Sequence, residues 1–71
     1  MILSEFERAK TDLHTGDAIA LLIRGNYGNY IVEGKLSKIE NNRVYLLRGK
    51  CHHYKRIISM AHYEKENRND L

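Results

Sequence analysis

The second half of the chain contains two short apolar runs separated by a polar turn. This arrangement predicts a β-rich fold. The runs cover residues 44–47 and 54–58 and contain β-branched, aromatic and bulky residues, the composition of strands that pack on at least one face. The intervening residues 49–53 are mostly polar and begin with Gly49, which is typical of a turn. This pattern predicts a β-hairpin.

The predicted hairpin is also strongly basic. It contains no acidic residue and five basic ones, which are Arg43, Arg48, Lys50, Lys55 and Arg56. The whole chain has a net charge of +3, whereas residues 21–59 hold eight basic residues against Glu33 and Glu40, a net charge of +6. This concentration favours a polyanionic partner, with an ordinary solvated basic surface as the alternative.

The length and the cysteine content limit how the chain is stabilised. A chain of 71 residues is expected to form one domain with a small core, so partners or further copies are expected to add stability. Cys51 is the only cysteine, which excludes an internal disulfide and fits a reducing compartment. With no apolar segment of about 20 residues and no leader at the first residues, we expect a cytoplasmic protein without a membrane segment.

The N-terminal residues predict one short helix. Ser4 and Glu7 have the spacing of a capping box, which indicates that the helix begins at Ser4. Phe6, Ala9 and Leu13 then recur on one face, and the segment ends at Gly16. Because so short a helix is unstable alone, we expect it to lie on a sheet.

Five strands are expected after the helix. They are predicted at 18–23, 30–40, 43–48, 53–58 and 60–63. Gly34, in the middle of the second strand, predicts a bend or bulge that lets one strand serve two sides of a small barrel. Residues 1–63 are thus expected to form one domain, and residues 64–71 a disordered charged tail.

This order of elements, with glycine in the middle of the second strand, resembles the Sm-like fold. The runs Val44-Tyr45-Leu46-Leu47-Arg48 and Tyr54-Lys55-Arg56-Ile57-Ile58-Ser59 are similar to the signatures of the bacterial RNA chaperone family Hfq. The segment Tyr30–Leu36 is similar to the family's second strand, and Phe6 matches a helix phenylalanine. The resemblance covers about residues 2–63 and implies a small, SH3-type, five-stranded bent barrel with a short N-terminal α-helix.

The resemblance also implies a function. It predicts a homohexameric ring, in which strand four of one subunit pairs with strand five of the next, that binds single-stranded RNA in post-transcriptional regulation. Lys55 matches the lysine of the family's uridine site, and Arg56 replaces its histidine. Asn41 or Asn42 is in the position to read a base edge, as an asparagine does in archaeal Sm-like proteins. U-rich RNA is therefore the expected ligand.

Several features of the family are absent from this sequence, and their absence leaves a second interpretation open. Glu33 occupies the position of the glutamine that reads adenine, and a carboxylate repels phosphate. The turn before the third strand lacks the family's aromatic residue, and Thr11, Asp12 and His14 occupy the place of its rim arginines. The alternative is a small barrel that docks a partner protein and has lost RNA binding.

Two tyrosines in or beside the predicted turn at 25–29 are further candidates for RNA contact. Tyr27 and Tyr30 are flanked by Asn26 and Asn29, and bases could stack on such a surface. The alternative is that Tyr30 packs as a strand residue and Tyr27 decorates the turn. Tyr54 is expected to be structural, with its ring buried between subunits.

Cys51, His52 and His53 raise the possibility of zinc binding or of a Cys-His nucleophile. Neighbouring strand residues point to opposite faces, however, and the sequence has no second cluster at zinc-finger spacing. No carboxylate lies near them in sequence, and no glycine-rich phosphate loop precedes a helix. We therefore expect no metal, no cofactor and no enzymatic activity.

Overall fold

The computed structural model describes residues 1–63, so the predicted tail at 64–71 lies outside the described residues. The protein is mainly β, with one antiparallel five-stranded sheet and a short N-terminal helix. The elements are helix α1 (Leu3–Ala9), a 3₁₀ turn (Lys10–Asp12), β1 (Ala18–Ile23), β2 (Tyr30–Glu40), β3 (Arg43–Leu46), β4 (Cys51–His53), a second 3₁₀ turn (Tyr54–Arg56) and β5 (Ile57–His62). The strands lie side by side in the order β4-β3-β2-β1-β5.

Helix α1 begins one residue earlier than predicted. The backbone N–H of Ile2 donates to the Glu5 carboxylate at 3.3 Å, so Glu5 rather than Ser4 satisfies a free amide at the helix start. The α-helix ends at Ala9, and the 3₁₀ turn continues the chain to Asp12. Among residues 1–63, no helix is long and apolar enough to cross a membrane.

The apolar face of this segment packs on the sheet, as predicted. Phe6 is fully buried and Leu13 is buried. They join one core with residues of β1, β2, β3 and β5, which are Ile19, Leu21, Ile23, Leu36, Val44, Leu46 and Ile57. Burial of each large aliphatic side chain contributes about 1.5–3 kcal/mol, so α1 and the sheet stabilise each other.

Strand β2 joins the two halves of the sheet. Its residues 30–35 pair with β1, and its residues from Leu36 onward pair with β3. The predicted irregularity is present, but the pairing register shifts between Leu36 and Lys38 rather than at Gly34. A Cβ atom at Gly34 would lie 3.4 Å from Leu46 Cδ1, an ordinary van der Waals contact, so the space at this position does not by itself require glycine.

The sheet does not close on itself. Strand β4 pairs only with β3, and β5 pairs only with β1, so these two strands are its edges within the described residues. The five-stranded barrel therefore stays a prediction.

The prediction for the second half of the hairpin was wrong. The strand expected at 53–58 is instead β4 at Cys51–His53, followed by the 3₁₀ turn at Tyr54–Arg56. Strand β3 ends at Leu46, and β5 begins at Ile57, ahead of the predicted 60–63. A tertiary contact explains the error, because the Tyr54 ring stacks on Phe6 with centroids 5.5 Å apart.

Candidate functional site

The tight turn between β2 and β3 presents two asparagine side chains. Asn41 and Asn42 have φ angles of 56° and 62°, in the left-handed region that asparagine tolerates better than most residues. Both are exposed. Each amide can donate and accept hydrogen bonds, which suits it to the edge of a base.

The 3₁₀ turn at Tyr54–Arg56 is fixed against this β2–β3 turn. The backbone N–H of Tyr54 donates to the carbonyl oxygen of Asn42 at 3.0 Å. The backbone N–H of Lys55 donates to Nδ1 of His53 at 3.2 Å. The first bond links the 3₁₀ turn that carries the exposed Lys55 to the turn that carries Asn41 and Asn42, and we call these three residues the turn surface (Asn41, Asn42 and Lys55).

Arg56 belongs to a different surface. Its Nη2 donates to the carbonyl oxygen of Arg24 at 3.1 Å, and the Arg24 N–H donates to the Arg56 carbonyl at 2.8 Å. Arg56 lines an open cleft of about 370 Å³ with the loop at 25–29, which includes Tyr27, and with Tyr30 at the start of β2. We call these three residues the loop surface (Tyr27, Tyr30 and Arg56); Lys55 does not line this cleft.

The two loop tyrosines differ in exposure. Tyr27 is fully exposed, whereas Tyr30 is 47% exposed and pairs with Ile23 across the β1–β2 ladder. Both rings have free area for stacking with a base. The ring of Tyr54, by contrast, is partly buried against Phe6 and His53 of its own chain.

The cations of these surfaces are not neutralised by nearby carboxylates. Among residues 1–63, the ion pairs join Lys10 to Glu7 and Lys38 to Glu40, while the Asp17 carboxylate lies 3.8 Å from Nδ1 of His14 and 2.9 Å from Nε2 of His62. The Lys38 ammonium lies 2.9 Å from the Glu40 carboxylate, which lowers the pKa of Glu40 and raises that of Lys38. Glu40, the acid next to Asn41, is thus engaged by Lys38, and Lys55 and Arg56 form no ion pair within the described residues.

A third feature was missed by sequence reasoning. The sequence indicates Arg43 and Lys50 only as charges of the hairpin, but with Arg56 and Tyr30 they line a cleft of about 250 Å³ beside β4. The sequence predicts that residues 51–53 belong to a turn, so it gives no reason to expect a cleft there. In the structure these residues form β4, and His53 lies opposite Arg43. Arg48 lies elsewhere and lines a separate cleft with Lys35 and Leu47.

The Cys-His segment forms the edge strand β4, and all three of its residues are partly buried. Cys51 pairs with Tyr45, and His52 pairs with the buried Val44. Partial burial and, secondarily, the charge of Lys50 lower the pKa of His52. In the part of the chain that the structure describes, no three His, Cys, Asp or Glu side chains converge to hold a metal ion.

The outer face of β1 and β2 has a different character. Ile31 is 64% exposed there and pairs with the partly buried Leu22. Glu33 is exposed on the same face and lines a cleft with Ala18 and Tyr63. This face therefore combines an exposed apolar side chain with charges of both signs, since Lys35 is also exposed and lines the same cleft as Glu33.

No protein-family model, no curated protein and no solved structure matches this chain. The resemblance to the Hfq family therefore stays a prediction from short motifs. The geometry and charge of the described residues are the basis on which a function can be inferred.

Proposed function

We propose that the protein binds single-stranded, U-rich RNA as an Sm-like ring of the Hfq type. In this proposal Asn41 and Asn42 read base edges while Lys55 holds the phosphate backbone. On the loop surface, neighbouring bases stack on the rings of Tyr27 and Tyr30. Arg56 lies beside them as a second cation.

The observation that carries this proposal is the hydrogen bond between Tyr54 and Asn42. It joins the turn of Asn41 and Asn42 to the turn of Lys55, a lysine that forms no ion pair within residues 1–63, so the two turns together offer a phosphate contact and base contacts. RNA recognition of single strands relies on this combination. The ion pair of Lys38 with Glu40 supports it further, since Glu40, the residue that precedes Asn41, is already engaged by a cation.

The ring is supported by the two free sheet edges. Strand β4 and strand β5 each have one unpaired side within the described residues, and exposed edges are usually covered in stable proteins. Pairing β4 of one copy with β5 of the next covers both edges in a head-to-tail assembly, which forms a ring when the rotation between neighbouring copies closes. Such a ring would repeat Lys55 around one axis and raise the local positive potential.

The test is fluorescence anisotropy with 3′-labelled oligo-U and oligo-A at two salt concentrations. We expect tighter binding to oligo-U, with an affinity that falls as salt rises. Lys55→Gln should weaken oligo-U binding and reduce the slope of log K against log salt by about 0.7 for each phosphate that is no longer neutralised.

Lys10→Gln is the matched control because it removes the same charge from a lysine already paired with Glu7. It should leave oligo-U affinity nearly unchanged. Equal effects of Lys55→Gln and Lys10→Gln would exclude Lys55 as a specific contact. Absence of binding to either oligomer at low salt would exclude the RNA-binding function.

The outer face favours the second candidate function, a protein-interaction module. Ile31 is an exposed apolar residue beside Glu33, a pairing that suits a protein surface better than a phosphate backbone. Affinity capture with and without nuclease distinguishes the two functions. A partner that is retained after nuclease but not captured by Ile31→Ser would favour the interaction module.

A further inference from the structure

A cleft lies between the edge strand β4 and the adjoining ends of β1 and β2. Its volume is about 250 Å³, somewhat below the range of about 300–1,000 Å³ that is usual for pockets holding drug-sized ligands. Ile23 lines it from β1, Tyr30 from β2, and Cys51, His52 and His53 from β4. This size suits one small polar unit rather than a run of nucleotides.

Three cations line the same cleft. They are Arg43 from β3, Lys50 from the loop before β4, and Arg56 from the 3₁₀ turn, and no carboxylate is among the lining residues. None of the three forms an ion pair with another residue of the described chain. Like charges gathered in this way repel one another, so an anion in the cleft would relieve the repulsion.

The cleft also offers an aromatic wall. Tyr30 is 47% exposed and lines both this cleft and the loop surface, with Arg56 shared between them. Arginine guanidinium groups can bind phosphate oxygens through two parallel hydrogen bonds, and a tyrosine ring can stack on a base. One wall therefore suits a phosphate and the neighbouring wall suits a base.

We propose that this cleft binds the phosphomonoester group of a nucleotide, with the phosphate on Arg43, Lys50 and Arg56 and the base against Tyr30. A phosphomonoester carries a charge of about −1.5 to −2 at neutral pH, against −1 for each phosphate within a strand, so it matches three cations better. Its source is either a free mononucleotide or the phosphorylated 5′ end of an RNA. The RNA source rests on the proposed function, whereas binding of a free nucleotide does not.

Cys51 provides a direct reporter of the cleft. It is the only cysteine in the chain and lines the cleft, where its Sγ lies 4.0 Å from Nη1 of Arg43. The experiment measures the rate at which iodoacetamide alkylates Cys51 in the presence of UMP, uridine or inorganic phosphate. We expect UMP to slow alkylation several-fold in a saturable way, phosphate to slow it less, and uridine to have little effect.

Variants show whether the three cations are responsible. Lys50→Gln changes an exposed loop side chain and should raise the UMP concentration needed for half-protection several-fold. The double variant Arg43→Gln with Lys50→Gln should abolish protection. Arg48→Gln, which removes one positive charge outside the cleft and is the matched control for Lys50→Gln, should leave protection unchanged. Equal protection by UMP and uridine, or equally weakened protection in Lys50→Gln and Arg48→Gln, would overturn the proposal.

A second measurement separates the two sources and the two proposals. Anisotropy compares 3′-labelled oligo-U with and without a 5′-phosphate. Tighter binding of the phosphorylated oligomer, abolished by Lys50→Gln, would support the RNA end as the ligand. Equal binding of both oligomers with no protection by UMP would overturn the cleft proposal and leave RNA binding intact. Protection by UMP without binding of either oligomer would support a free nucleotide and overturn the proposed function.

Discussion

The backbone N–H of Tyr54 and the carbonyl oxygen of Asn42 are joined by a hydrogen bond of 3.0 Å, which couples two turns far apart in the sequence. One turn presents Asn41 and Asn42, and the other presents Lys55 and Arg56. A change in the backbone of the β2–β3 turn is therefore expected to shift the 3₁₀ turn as well. The positions of Asn41, Asn42 and Lys55 depend on the backbone of both turns.

The backbone of Asn42 gives the first prediction. Its φ angle of 62° suits asparagine or glycine, whereas alanine is strained there by about 1–2 kcal/mol. We expect Asn42→Ala to lower the free energy of unfolding by about that amount and Asn42→Gly to change it little, as measured by urea denaturation. An equal decrease in the two variants would show that the side-chain amide, rather than the backbone, stabilises the turn. Because Asn42→Gly keeps the fold, it also tests the amide in oligo-U binding.

The parts of the fold that sequence predicted well are those governed by local patterns. Strands β1 and β2 have the predicted bounds, 18–23 and 30–40, because a dense turn signal separates two apolar runs. The burial of Phe6 and Leu13 follows from their helical spacing. These features need no information from distant residues.

The errors arise where distant residues decide the local structure. Tyr54, with Ile57 and Ile58, has the composition of a strand, but the stacking of Tyr54 on Phe6 and its bond to Asn42 fix a 3₁₀ turn. Cys51–His53 lacks strand-forming residues, yet pairing with β3 makes it an edge strand. The same reason applies to the candidate site. Lys55 and Arg56 are neighbours that the sequence predicts as a pair, but the folded chain places them on different surfaces.

Gly25 gives the second prediction, because it controls the loop beside Tyr30. A Cβ atom at Gly25 would lie 2.5 Å from the carbonyl oxygen of Gly28 and 3.0 Å from Tyr30 Cε1, so the loop would have to shift. We expect Gly25→Ala to displace Tyr30 and to weaken protection of Cys51 by UMP. Circular dichroism should show the sheet retained.

The control for Gly25→Ala is Gly49→Ala. Its added Cβ would lie 3.4 Å from Leu46 Cβ, a much milder contact, and Gly49 lies in the loop that precedes β4 at the same cleft. This variant should keep protection by UMP. Unchanged protection in Gly25→Ala would show that the position of the Tyr30 ring does not matter for the ligand.

Asp17 gives the third prediction, on acid stability. Its carboxylate accepts hydrogen bonds from the His14 backbone N–H and from Nε2 of His62, each at 2.9 Å, and these lower the pKa of Asp17 below its ordinary value of 3.8. The folded protein thus favours the ionised form of the Asp17 carboxyl group, and the ionised carboxylate stabilises the fold. This stabilisation is fully present above pH 3.8 and disappears as the pH falls through the lower pKa of the folded protein. We expect Asp17→Asn to lower the melting temperature at about pH 6 and to make a smaller difference at about pH 3, where the pH is already below the ordinary pKa.

The matched control is Asp12→Asn, which removes an exposed carboxylate nearby. Its effect on the melting temperature should be small at both pH values. If Asp17→Asn destabilises the protein equally at the two pH values, the carboxylate charge is not the source of the stabilisation.

His52 gives the last prediction, and it tests the electrostatics of the cleft without any ligand. Partial burial, the larger cause, and the charge of Lys50 both lower the pKa of His52 below 6.5. Lys50→Gln removes only the second cause, so the pKa of His52 should rise while remaining below 6.5, as followed by NMR titration of its ring proton. Lys35→Gln, an equal change of charge that lines other clefts, should leave this pKa unchanged. A His52 pKa unchanged by Lys50→Gln would show that the Lys50 ammonium lies too far from the imidazole to act on an anion beside it.

The same titration can also be made with the ligand. A rise in the His52 pKa on addition of UMP to the unaltered protein is expected if the phosphate lies among these groups, because a nearby anion favours the imidazolium.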